Sequence, residues 1–477
     1  MRNFLNPYNV EYGKVYNALH DLQLDTIARF AYKESNRQER LLEILENICL
    51  DEKTIYYRQA ILNDFIKDRF MYHNIQLEIA AMEKAYAEYD GCRSQRAKTK
   101  IKSEVGIVDV SMSLRDYAYA LRRLLEIYGR LDNLFNEHKP SSEGLKVYAH
   151  AVHKRNASEG FYKLREKVEA ILESGSSYGY CIKLDDYLVP EEMKYMIVKG
   201  KYEGEKFSLF KKKSSQNNKV ELNSKVEEDS RRIVVDAYNR LIVIIEDIFE
   251  TLFDEISYII KDFIFFEFGI YIYETLGEAG EFVTFPTFGK TINYKKAKDP
   301  FLLIRYINEG YRTTVYGNDL VIEDNESALV CGSNNTGKTV FLRTIGIFQV
   351  FAQTGLMVPA DYAETVIRSD IISIFSGEEK DTNVGGRFEK EAIDIKDIID
   401  SVNEKSLVII NEIFQSTFAE DGEKALFDIL DYFTLINVKW ITVTHLLGLL
   451  DRVDNFESEV KVFQTTGEEE KYKIKTL

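Results

Sequence analysis

The segment Gly332-Ser333-Asn334-Asn335-Thr336-Gly337-Lys338-Thr339 restricts the fold more than any other part of the chain, because it is a complete GxxxxGK[ST] pattern. It follows an apolar run at 328–331 and precedes the amphipathic stretch TVFLRTIGIFQVFAQ, so the order predicts strand, glycine-rich turn, helix. In that context the backbone N–H groups from Gly332 through Gly337 can wrap a phosphate chain, and the helix N-terminus adds positive potential. Lys338 is placed to reach the β- and γ-phosphates, and Thr339 to ligate Mg²⁺. The motif therefore points to ATP with Mg²⁺ as the ligand pair.

Two later segments fit the same domain. Ser406-Leu407-Val408-Ile409-Ile410-Asn411-Glu412 is an apolar strand ending in two polar residues, the form of a Walker-B strand. Asn411 stands at the metal position, where a carboxylate is usual; it can orient a water but brings no negative charge to Mg²⁺. Glu412 is the candidate general base. Trp440-Ile441-Thr442-Val443-Thr444-His445 is a third apolar strand. A lone histidine after a strand is more often structural. Two phosphate-site motifs in the same domain favour a His445 that contacts the γ-phosphate or the attacking water. From Leu320 onward apolar strands alternate with amphipathic helices, which predicts an α/β domain with a mostly parallel sheet.

Upstream, residues 16–169 repeat apolar positions at helical spacing, as in LLEILENICL and LRRLLEIYGR, and predict packed helices. Turn residues and alternation at 175–222 predict short strands and hairpins, ending in the polar loop KKKSSQNNK. Residues 225–276 return to the helical period without a proline, which predicts one long helix of lever or coiled-coil type.

A family resemblance rests on these residues. GSNNTGKTVFLRTIGIFQVFAQTGLMVPA is similar to the MutS pattern of P-loop, helix and Val-Pro-Ala turn; NEIFQSTFAEDG resembles the segment around that family's Walker-B strand, keeping Glu412, Thr417, Asp421 and Gly422; VTH resembles its Ala-Thr-His. Gly317-Asn318-Asp319-Leu320 resembles the Asn-Asp loop before the P-loop strand, AKDPFLL the Arg-His-Pro entry with Asp299 in place of His, and residues 51–65 (DEKTIYYRQAILNDF) the Arg-Gln signature of the helical core. The resemblance implies a multidomain protein. Residues 1–290 would form an α-helical core and lever region, with a clamp-like β insert at 175–222 and a lever helix at 225–276. Residues 291–477 would form an α/β P-loop NTPase domain of ABC-like type. It implies nucleotide contacts from Tyr316 and Asn318, a homodimer with composite ATP sites, and a clamp that embraces DNA. Three departures bear on this. No mismatch-reading Phe-x-Glu segment is found, so a clamp without direct mismatch reading is expected. The trans-acting serine segment appears as Gly385-Gly386-Arg387-Phe388-Glu389, which leaves Arg387 as the trans-site candidate. The sequence stops at KYKIKTL, before the family's C-terminal helix-turn-helix dimerisation element.

Charge and composition qualify the partner. The net charge is -16, and residues 301–477 carry 17 Lys and Arg against 30 Asp and Glu, so the acid is concentrated in the ATPase region. DNA contact should then come from local basic clusters: Lys211, Lys212, Lys213 and Lys219 in the insert, or Arg93, Arg96, Lys98, Lys100 and Lys102. A nucleotide-switched interaction protein acting on a protein or ribonucleoprotein is the rival reading; an unrelated ABC- or SMC-type ATPase is opposed by the Val-Pro-Ala and Arg-Gln segments. His150 and His153 read as a surface helix rather than a metal pair. The scattered Cys49, Cys92, Cys181 and Cys331 suit a reducing cytoplasm, the N-terminus has no signal-peptide h-region, and the apolar stretch 241–273 carries too many charges to span a membrane.

Overall fold

A computed structural model describes residues 4–8, 10–100, 107–173, 178–184, 190–197, 224–375, 393, 395–396, 398–414, 418–467, 470 and 472–477. Its strands are β1 (Tyr12–Tyr16), β2 (Asn47–Cys49), β3 (Tyr178–Leu184), β4 (Pro190–Ile197), β5 (Thr287–Phe288), β6 (Thr291–Ala297), β7 (Asn318–Glu323), β8 (Ser327–Cys331), β9 (Tyr362–Thr365), β10 (Ile371–Phe375), β11 (Leu407–Asn411), β12 (Lys439–Val443), β13 (Val460–Thr465) and β14 (Ile474–Thr476). The contacts divide the chain into two compact units. The first is drawn from Met1–Lys67, Ser142–Gly144 and Lys261–Leu477, the second from Asp68–Ser141 and Leu145–Ile260. The division differs from the expected boundary at 290/291, because the N-terminal segment belongs with the C-terminal domain. Helix Ser224–Glu278 contributes residues to both units.

The first unit is built on an eight-stranded sheet in the order β14-β13-β8-β12-β11-β10-β1-β2. The strands from β13 to β1 run parallel, while β14 and β2 are antiparallel edges. Strands β8 and β11 are buried at all five positions, as expected of near-continuous apolar runs covered on both faces. Helix Lys338–Thr354 lies on one face, with Gly346 against Leu22 and Ile409. The opposite face packs Trp440, Val408 and Ile410 against Leu426, Leu430 and Phe433 of helix Ala419–Leu435. A second sheet, β5-β9-β6-β7, belongs to the same unit.

The strand β2 corrects the helical reading of LLEILENICL. The helix ends at Glu46, and Asn47–Cys49 pairs with β1 through Tyr12↔Cys49, Gly13↔Ile48 and Lys14↔Asn47. Helical periodicity cannot reveal a three-residue edge strand whose partner lies more than thirty residues away. Gly13 is demanded at this junction, since a Cβ there would stand 1.7 Å from the Ser369 carbonyl oxygen.

The Arg-Gln pair of residues 51–65 is structural in the first unit. Arg58, 1% exposed, donates to the carbonyls of Leu5 and Thr354 and to Asn6, and so ties the N-terminal segment to the end of helix Lys338–Thr354. Gln59 donates to the Pro286 carbonyl.

The second unit consists of helices, including Arg69–Lys100, Ile107–Glu137 and Glu159–Glu173, and the antiparallel pair β3–β4. Its core is rich in aromatic side chains. Tyr89 stacks on Phe249 with centroids 4.2 Å apart, and buried tyrosine hydroxyls donate to glutamates of the long helix: Tyr89 to Glu250 (2.6 Å), Tyr117 to Glu246 (2.7 Å) and Tyr128 to Glu255 (3.2 Å). Burial and these carboxylates raise the pKa of all three phenols, so each stays a neutral donor. Arg93, Arg96 and Arg155 complete the rungs by pairing with Glu250, Glu246 and Glu255. Of the candidates for phosphate contact on sequence grounds, Arg96 is largely buried in its pair with Glu246, whereas Arg93 is half-exposed beside Glu250. His153 hydrogen-bonds Asp132 at 2.8 Å, in keeping with a structural helix surface. Lys211, Lys212, Lys213, Lys219 and Lys102 lie outside the described residues, as do the side chains of Lys98 and Lys100.

Candidate nucleotide site

Three parallel strand ends of the first unit converge. β8 leads into the loop 332–337, β11 ends at Asn411 before Glu412, and β12, lying between them, leads to Thr444 and His445. The carboxyl edge of a parallel sheet is where α/β folds place their ligands. The ladder continues past the strands, with Glu412 N–H donating to Val443 O (2.9 Å) and Thr444 N–H to Val330 O (3.2 Å).

The loop is held by its own sequence. Gly332 has φ +152° and Gly337 +85°, and Asn335 adopts the left-handed region at +61°. A Cβ on Gly332 would lie 2.3 Å from Thr465 Oγ1. Thr336 Oγ1 donates to Ser333 O (2.7 Å) and stands 2.6 Å from Thr465 Oγ1, so β13 braces the loop. Lys338 is 4% exposed; its Nζ donates to Gly332 O (2.9 Å) and Ser333 O (2.8 Å). Burial lowers its pKa, and the Glu412 carboxylate, 3.6 Å away, opposes that shift. Glu412 Oε1 also lies 2.7 Å from His445 Nε2. Thr339 Oγ1 donates to Asn411 Oδ1 at 3.0 Å.

A cavity of about 680 Å³ opens over this loop, lined among others by Lys338, Thr339, Glu412, Thr465, Tyr316 and Tyr472. Tyr316 faces Tyr472 with ring centroids 6.3 Å apart. Asn318 lines the cavity too, but its amide is occupied: Nδ2 donates to Tyr472 O (3.1 Å) and Oδ1 accepts from Ile474 N–H (3.1 Å). In the structure it fastens the C-terminal segment beside the loop. Asp299 is also part of the lining; it caps helix Pro300–Glu309 through Leu302 N–H and pairs with Arg343 of the P-loop helix at 2.6 Å.

The structure therefore brings together Lys338, Thr339, Asn411, Glu412 and His445 from three separated motifs, with Tyr316 and Asn318 at the cavity wall. Asn334, Asn335 and Gly337 line it as well. Arg387, with Gly385–Glu389, and Thr417 lie outside the described residues. Thr465, Tyr472 and Arg343 were missed by sequence reasoning. Thr465 and Tyr472 sit in short strands and turns without a motif, and their only signal is their distance from the P-loop strand across the sheet. Among the described residues no cluster of three or more His, Cys, Asp or Glu could hold a metal, and no helix is long and apolar enough to cross a membrane.

This region is thus an α/β domain with a glycine-rich loop at the carboxyl edge of a largely parallel sheet. Residues 328–477 match the family model described as MutS domain V. Over this domain the chain is therefore similar to the MutS family. Similar relatives include MutS protein homolog 4 of Homo sapiens, 28% identical over 159 residues, and the putative endonuclease MutS2 of Bacillus subtilis, 30% identical over 156 residues. Each match covers 32% of this chain and only 17% and 19%, respectively, of the relative, so the chain matches about a fifth or less of their length.

Proposed function

We propose that the first unit binds ATP with Mg²⁺ and hydrolyses it slowly, and that the chain is an ATP-regulated, MutS-like DNA clamp acting in DNA repair or recombination without direct mismatch reading. The observation that carries the nucleotide assignment is the convergence of Lys338, Thr339 and Glu412 on one cavity, with Asn411 bonded to Thr339 and His445 to Glu412 directly behind them. The strand order, with β12 between the P-loop strand and the strand of Asn411, supports an ABC-like P-loop NTPase domain.

The residues fit the metal in kind. Thr339 Oγ1 and Asn411 Oδ1 are hard oxygen donors 3.0 Å apart, the ligand type Mg²⁺ takes. The metal would neutralise phosphate charge. Asn411 supplies no charge of its own, which is the reason to expect weak metal binding and slow turnover. Glu412 would take the proton of the attacking water, Lys338 and Thr336 would keep the loop in its cradling form, and Tyr316 would flank the base. The trans contribution expected from Arg387 implies a homodimer, with each copy covering its partner's γ-phosphate.

DNA as the partner rests on the family and on the Lys211–Lys213 cluster. The acidity of residues 301–477 favours the alternative, a nucleotide-switched protein acting on a protein or ribonucleoprotein. Fluorescence anisotropy with duplex, branched and single-stranded DNA across a salt series, with and without ATP, separates the two. A clamp gives affinity that falls steeply with salt, and Lys211, Lys212 and Lys213 together replaced by Glu lowers it for all sequences. Absence of binding at low salt favours the protein-partner reading.

A further inference from the structure

We infer that Lys338 and His445 hold the Glu412 carboxylate, and that the terminal phosphate of a nucleoside triphosphate releases it by drawing both away. The proposal deepens, and rests on, the reading of this cavity as an ATP site.

One oxygen carries the arrangement. Glu412 Oε1 lies 2.7 Å from His445 Nε2 and 3.6 Å from Lys338 Nζ, so the candidate base and both expected γ-phosphate contacts form a single cluster. The backbone fixes the carboxylate there. Glu412 sits at φ +55°, with its N–H bonded to Val443 O, so the residue is locked between the ends of β11 and β12. A non-glycine residue in this region is strained, and the surrounding structure must over-determine it. Lys338 is tethered from the other side by the carbonyls of Gly332 and Ser333 in the loop itself. A terminal phosphate has more charge and more acceptor oxygens than a carboxylate, and it enters the cavity that Lys338 and Glu412 both line. It therefore competes for the same two donors. A diphosphate offers its β-phosphate to Lys338 but, ending one phosphate short, leaves the His445–Glu412 contact intact. Glu412 is thereby armed only by the nucleotide that can be hydrolysed.

The full chain tests this by calorimetry with a non-hydrolysable ATP analogue and with ADP, on wild type and on Glu412→Gln. Removing the carboxylate charge removes what the triphosphate must displace. The analogue should bind about three- to tenfold tighter to the variant, with ADP changed less than about twofold. Imidazole ¹⁵N spectra of the histidine-labelled protein, with His445 assigned through His445→Gln, supply a second readout: the His445 signals should move with the analogue and stay in place with ADP. Equal tightening for both nucleotides, or a His445 ring indifferent to the analogue, overturns the inference while leaving the ATP site standing. If neither nucleotide binds wild type, the site assignment fails and the inference with it.

Discussion

The two units use the same polar residues in opposite ways. In the helical unit, Tyr89, Tyr117 and Tyr128 meet Glu250, Glu246 and Glu255, and Arg93, Arg96 and Arg155 close each rung along regular helix. In the sheet unit, Lys338, Glu412 and His445 meet at chain reversals beyond the strand ends. Backbone strain follows the same divide. Among the described residues, every non-glycine position with positive φ lies in the sheet unit, and Asn335, Glu412, Phe414 and Tyr472 lie at or beside the cavity and the end of β11. Charges matched on relaxed backbone make a stiff element. At the strand ends one member of the cluster, Glu412, is held on strained backbone.

The largest effect that sharpens this contrast is on turnover. Glu412→Gln should lower ATP hydrolysis by at least about 100-fold with binding retained, as measured by phosphate release. Hydrolysis near the wild-type rate would remove Glu412 from the role of base. Gly332→Ala comes next, because its Cβ would collide with Thr465 Oγ1 at a φ that L-residues avoid. Thermal or denaturant unfolding should show a loss of about 2 kcal/mol, with ATP affinity falling as the loop shifts. An unchanged melting curve together with unchanged affinity would show that the loop is not held by this packing.

A smaller effect is expected at Asn411. Asn411→Asp restores a charge beside Thr339 and should move the Mg²⁺ requirement for hydrolysis to lower concentration and raise turnover. A wild-type Mg²⁺ curve would mean that another group already supplies the charge. The helical unit provides the smallest change. Tyr117→Phe removes one hydroxyl donated to Glu246 and should cost about 1 kcal/mol of stability. ATP affinity should stay constant; a shift in affinity would contradict the division of labour between the units.

The candidate site was legible because its residues are compressed into short motifs. GSNNTGKT, NE and TH each sit at a strand end, and the alternation of strands and helices places those ends on one edge. What escaped the sequence has two physical causes. Edge strands such as β2 owe their conformation to a distant partner, so LLEILENICL read as helix throughout. The long-range supports lack a pattern: Asn318 reads as a nucleotide contact from its loop, yet both ends of its amide are taken by Tyr472 and Ile474, more than 150 residues away. Likewise Asp299, expected only as a departure from a His position, caps one helix and anchors Arg343 of another. The long helix was readable from its period, whereas the Tyr–Glu–Arg rungs that hold it required knowing which helices adjoin it.

The central claim is that the cavity over residues 332–339 is an ATP site organised by Lys338. Calorimetric titration of ATP with Mg²⁺ into the full chain and into Lys338→Ala tests it most directly. The account predicts saturable binding to wild type and a loss of about tenfold or more in the variant, with the fold intact by circular dichroism. Equal affinity for the two proteins would contradict it.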